Sequence, residues 1–241
     1  MAIRCHQCYL AAMLVNGIHL LPDLSGALAW PKERLVAVSD PIAEADTRLP
    51  GPIVAETVRR LASVLRQRRP RMLVWLGGTL PHLIAEGRVG RREMKEIEVQ
   101  AAQLDWVWVA DDLPAGLPGR SLAELAVGDL VFRHAGRPDA APGEVSASPW
   151  PAARADGTLY PCFVVDGRRL VIPPFGGRAD GADVLSTPFQ PLFRRPFQVL
   201  MLMGGRIVTR PRHRLDGGQA PAAPAQRPSG PAGKRISLFG D

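Results

Sequence analysis

The chain has 241 residues, 46% of them hydrophobic, enough to bury one sizeable core or at most two small ones. The net charge is +7, yet residues 206–241 hold seven Lys/Arg against two Asp, so the rest carries only +2 and the basic character belongs to the C-terminal end. No run approaches the ~20 apolar residues of a membrane span, which argues against a membrane partner, and three cysteines make no disulfide framework and suit a reducing cytoplasm.

Residues 1–14 read as an N-terminal extension. Cys5-His6-Gln7-Cys8 resembles half of a zinc site, but no second pair follows at matching spacing. The apolar stretch Tyr9 to Val15 is preceded only by Arg4 and broken by Asn16-Gly17, so it reads as a first strand or loop rather than an export signal. Strands are expected at Leu35–Val38, Met72–Leu76, Trp106–Ala110, Leu130–Arg133, Cys162–Val165 and Leu170–Ile172, each rich in Val, Leu or aromatic residues. Helical spacing of Ile53, Val54, Val58, Leu61, Ala62 and Leu65 predicts a helix over Pro52–Arg69, with Pro52 suited to its first turn. A second helix is predicted over Arg91–Leu104. The N-terminal half is therefore β-α-β-α-β, with its three strands parallel. The second half has turns such as Asp166-Gly167 and Gly204-Gly205, which read as antiparallel hairpins. Residues 211–241 turn to Pro, Ala, Gly, Gln and Arg, a composition expected to be disordered.

In parallel sheets ligands bind beyond the carboxyl ends of the strands. Those ends carry Ser39-Asp40, Gly77-Gly78 and Asp111-Asp112, joined by His134 after the strand LVFR and by Trp150 in SASPWP. The order and flanking text resemble the calcineurin-like metallophosphoesterases, and within them the bacterial ligase-associated DNA damage response endonucleases. The segments that carry the resemblance are GALAWPKERLVAVSD, RRLASVLRQRRPRMLVWLGG, DWVWVADD, ELAVGDLVFRH, RPDAAPGEV, YPCFVVDGRRLVIPPFGG and FQPLF.

The resemblance implies an αββα sandwich, two packed mixed sheets flanked by helices, over residues 15–210. It also implies a site where active members hold two divalent cations such as Mn²⁺. Where that family has Asp-x-His, this chain reads Asp40-Pro41-Ile42, so the Asp stays and Ile42 replaces the His. Its Gly-Asp is Gly77-Gly78 here, and its Gly-Asn-His-Asp is Asp111-Asp112-Leu113-Pro114. The lone His matches His134, and the final Gly-His-x-His reads Ala147-Ser148-Pro149-Trp150. Asp40 and His134 remain as candidate metal ligands, while Ile42, Gly78, Leu113 and Trp150 cannot coordinate a hard cation. A two-metal centre needs a bridging carboxylate. The expectation is a degenerate homologue associated with DNA repair, with little or no phosphodiester hydrolysis, no bound cofactor, and DNA or DNA-repair proteins as partners.

Asp40, Asp111 and Asp112 with His134 would instead hold a single Mg²⁺-like ion and support a rebuilt phosphodiesterase, or simply cap loops after the strands. His82 reads as a surface-loop histidine or a substitute ligand. Ser148 has no base beside it in the sequence. Arg59, Arg60, Arg66, Arg68, Arg69 and Arg71 would either track phosphates or line a solvated helix end. In KRISLFGD, the cluster Ile236, Leu238 and Phe239 is similar to peptides that dock into the bacterial DNA sliding clamp, which makes a non-enzymatic adaptor a further reading.

Overall fold

The structure is a computed structural model and describes residues 12–178 and 180–216. The N-terminal half forms a seven-stranded sheet whose spatial order is its sequence order. Its strands are β1 (Met13–Val15), β2 (Ile18–Pro22), β3 (Leu28–Trp30), β4 (Leu35–Ser39), β5 (Met72–Leu76), β6 (Asp105–Val109) and β7 (Arg120–Leu122). The first four are antiparallel, and β4 to β7 are parallel. Three helices serve the crossovers: α1 (Gly51–Arg68), α2 (Thr79–Ala85) and α3 (Arg91–Gln103).

The inner parallel strands β4, β5 and β6 are largely apolar because both faces are covered. In β4, Leu35 and Ala37 face the core between the sheets, while Val36 and Val38 face the helices. On the helix side, α1 contributes Val54, Val58, Leu61, Val64 and Leu65 at helical spacing. The helix stops at Arg69, which takes a left-handed φ of 46° and donates its N–H to the Leu65 carbonyl at 2.8 Å. Arg68 then ties this end to the β2–β3 turn through a 2.6 Å ion pair with Asp23. Burial pushes the Asp23 carboxyl up, but the Arg68 and Ser25 donors outweigh it and hold the group below its usual range. Trp75, Trp106 and Trp108 pack against one another beneath the helices, with ring centroids 4.8–6.2 Å apart.

The second sheet has nine strands. They are β8 (Glu124–Val127), β9 (Leu130–Arg133), β10 (Glu144–Ser146), β11 (Pro151–Ala155), β12 (Thr158–Val165), β13 (Arg169–Val171), β14 (Ala182–Asp183), β15 (Gln198–Met203) and β16 (Arg206–Pro211). Phe132, Val145, Phe163, Leu170 and Leu200 face the first sheet and complete the shared core. The outer face is covered by Val184, Phe189, Leu192, Phe193 and Phe197, from irregular chain and a short 3-10 turn. The molecule is thus an α/β fold of two packed mixed sheets, with its α-helices on one side among the described residues.

Several expectations are corrected. The second half is not built only of hairpins: β10 runs parallel to both β9 and β13, because residues 134–143 carry the chain back along the sheet. His82, read as a surface-loop histidine, lies instead on the helix α2. Strand β1 starts at Met13, and Leu215 is buried in the outer core. No helix among the described residues is long and apolar enough to cross a membrane.

Candidate site at the carboxyl ends of the strands

The carboxyl ends of strands from both sheets meet along one rim. Ser39, ending β4, forms a parallel bridge with Pro174, and the Phe175 N–H donates to its carbonyl at 3.1 Å. Beyond β13, the Ile172 N–H donates to the Ser146 carbonyl at 2.8 Å. Ala135 bridges Ser148, whose N–H donates to the His134 carbonyl at 2.8 Å. On the other side, the Asp40 N–H donates to the Leu76 carbonyl and the Gly77 N–H to that of Val109. The rim therefore runs from Ala110 past Gly77 and Ser39 to Ser146 and His134.

Asp40 is only 3% exposed. Its Oδ1 accepts the Ile42 N–H at 3.1 Å and its Oδ2 accepts the Leu80 N–H at 2.7 Å. Burial dominates its acidity and pushes it up to about 6 against the lowering effect of these donors. Gly77 has a φ of +130°, and a Cβ there would come within 2.5 Å of the Asp40 Cβ, so only glycine lets β5 pass this close. Gly78 is different. A Cβ at this position meets nothing nearer than the Asp112 carbonyl oxygen at 3.5 Å, an ordinary contact. The His82 Nε2 lies 3.3 Å from that same oxygen.

Asp111 and Asp112 are exposed after β6, and Leu113 packs partly against the helix-side core. His134 is half-buried; desolvation lowers its basicity, and the negative charge of Asp111 acts against that. The structure thus brings Asp40, Gly78 and the Asp112 backbone together, and places Asp111 within electrostatic reach of His134. Trp150 is half-buried, and its carbonyl accepts the Ala182 N–H at 2.8 Å. Ile42 is 1% exposed in the helix-side core. Two buried hydroxyls on the rim, Ser39 and Ser146, have no hydrogen-bond partner among the described residues. Ser39 was legible as the residue that ends its strand, whereas nothing in the sequence marked Ser146. Ile236, Leu238, Phe239 and the Cys5–Cys8 motif lie outside the described residues.

These residues do not fit a dinuclear metal centre. The resemblance read from the sequence would put a bridging carboxylate at Gly78, which has no side chain to supply one. The buried carboxylate on the rim, Asp40, has each oxygen engaged by a backbone N–H. Among the described residues no three His, Cys, Asp or Glu side chains converge as a ligand set. The arginines at the end of α1 are only partly available: Arg59 and Arg60 pair with Glu56, and Arg68 with Asp23.

A crystal structure of a Pseudomonas putida nuclease, MPE, is similar to this fold, with a TM-score of 0.64 at 21% identity; the match covers 82% of this chain and 98% of that one. No protein-family model matches the chain, and no curated protein matches it in sequence.

Proposed function

We propose that this chain is a metallophosphoesterase-type nuclease homologue, associated with DNA repair, in which the two-metal centre is lost and phosphodiester hydrolysis with it. The fold shared with a nuclease supports the lineage. The observation that carries the loss is Asp40, whose oxygens are turned to the Ile42 and Leu80 amides instead of an open pocket. Beside it, Gly78 offers no carboxylate where a bridge between two cations would stand. Without cations, shedding charge from such a cluster relieves repulsion between carboxylates, which fits the neutral residues Ile42, Leu113 and Trp150 at the matching positions.

The test is calorimetric titration of the full chain with Mn²⁺ beside turnover of a generic phosphodiester. The expected result is no stoichiometric pair of ions and no turnover above that of Asp40→Ala and His134→Ala. Two ions bound per chain, with turnover abolished by either substitution, would overturn the reading. A second reading keeps one ion at Asp111 and His134, favoured by their electrostatic proximity. It requires single-ion binding that disappears in Asp111→Asn.

A further inference from the structure

The six arginines between residues 184 and 215 stand without a single Asp or Glu in that stretch. The fold gathers most of them at one place. Because β12 is antiparallel to both β13 and β15, the start of β15 lies beside the start of β13, with Val165 paired to Leu170 and to Gln198. Strand β16 returns antiparallel and ends with Pro211 opposite Gln198. Arg168, Arg194, Arg195, Arg212 and Arg214 are therefore clustered at the end of the second sheet opposite the rim described above, and all five are exposed.

Three adjoining hollows make this cluster one continuous strip. Arg194 and Arg195 line both a hollow with Arg168 and a wider one, of about 810 Å³, with Arg212 and His213. Pro211 joins the latter to a third hollow lined by Arg210 and Arg214. Among the described residues, none of Arg168, Arg194, Arg195, Arg212 and Arg214 pairs with a carboxylate. The nearby acids are used elsewhere: Asp166 accepts the Arg168 and Arg169 amides, Asp183 faces Arg154, and Asp216 accepts the Gly157 amide. Residues 217–241, outside the described residues, carry three Lys/Arg against one Asp.

We propose that this strip is a sequence-independent track for the phosphate backbone of duplex nucleic acid. Guanidinium groups in a row, unpaired and exposed, match a polymer of phosphates rather than a single anion. The aromatic content argues for a duplex. Single-strand binders stack successive bases on exposed aromatic rings, whereas the one benzene ring lining the strip, Phe197, is 6% exposed with the Arg212 guanidinium 5.5 Å from its centre, and His213 is the single exposed ring beside it. The large exposed apolar side chains of the described residues are all aliphatic: Leu14, Leu24, Leu49 and Val99.

The experiment is fluorescence anisotropy of the full chain with a labelled DNA duplex of arbitrary sequence, in EDTA, across a salt series. Removing three phosphate contacts with Arg194→Ala, Arg195→Ala and Arg212→Ala should flatten the slope of log K against log salt by about 2.7. Near 0.15 M salt this is a loss of roughly 100-fold. Arg168→Ala alone should flatten it by about 0.9. A matching RNA duplex should lose a similar factor, since phosphates are what is held. Replacing Arg59 and Arg66 on α1 with Ala serves as the control and should leave the slope in place. Unchanged affinity and slope in the triple variant, or tighter binding of single strands than of duplex, would overturn the proposal. Binding is read without divalent ions, so the outcome is independent of whether the strand-end rim hydrolyses anything.

Discussion

Two neighbouring glycines at the end of β5 have opposite tolerances. At Gly77 a side chain would combine a φ of +130° with a 2.5 Å approach to Asp40. Gly77→Ala should therefore cost about 2–4 kcal/mol of unfolding free energy, from backbone strain and overpacking together. Gly78→Ala enters ordinary contact at the start of α2 and should stay within about 0.5 kcal/mol of the parent; urea denaturation of the pair measures both. Asp40 makes a different prediction. Its folded acidity of about 6 stands above the unfolded value of 3.8, so the folded protein holds that proton more tightly. Its contribution is complete below pH 4, is lost as pH rises to 6, and is flat beyond, a fall on the order of 3 kcal/mol. Asp40→Asn should remove that slope when stability is measured from pH 4 to pH 7 in EDTA. The sequence marked Asp40 as the residue at a strand end, and the resemblance made it a ligand candidate. It held no sign that both oxygens would turn to amides 2 and 40 residues further on, because such bonds exist only once the strands are packed.

At the scale of elements, what the sequence revealed depended on length and periodicity. The strand at Met72–Leu76 was legible in full and α1 to within a residue at each end, because one is a continuous apolar run and the other spans several turns with an apolar stripe. Helix α2 was illegible: it is seven residues long, follows two glycines and contains Pro81. Proline costs nothing there, since the first amides of a helix have no intrahelical acceptor. Strands β1, β3 and β7 have three residues each, too few for alternation to show. The parallel placement of β10 was equally hidden, and it creates a buried ion cluster. Glu144, 2% exposed, faces Arg133 at 3.1 Å and Arg169 at 3.5 Å, and accepts the Arg137 N–H at 3.0 Å. Glu144→Ala would leave the buried Arg169 guanidinium without its carboxylate and the half-buried Arg133 with Glu124 alone, at 2.8 Å. The expected loss is about 3–5 kcal/mol, with Glu144→Gln in between, both read by thermal unfolding.

For the molecule as a whole, the division of charge read from the sequence was only half of the picture. Net charge assigned the basic character to the C-terminal end, but Arg194 and Arg195 lie before that segment, and β15 and β16 bring them beside Arg212. Linear composition cannot show that convergence, since it depends on strand pairing. The same holds for the rim, which draws on both halves of the chain. The Ser39–Pro174 bridge fastens the first sheet to the second where their carboxyl ends meet, and the amides of Ile172 and Phe175 close the seam. Hydrogen–deuterium exchange of these two amides should accordingly track global unfolding, with protection as long as that of the β5 amides. A rim stitched from both sheets in this way is fastened by main-chain bonds that need no bound ion to persist, so its backbone outline should be indifferent to chelation.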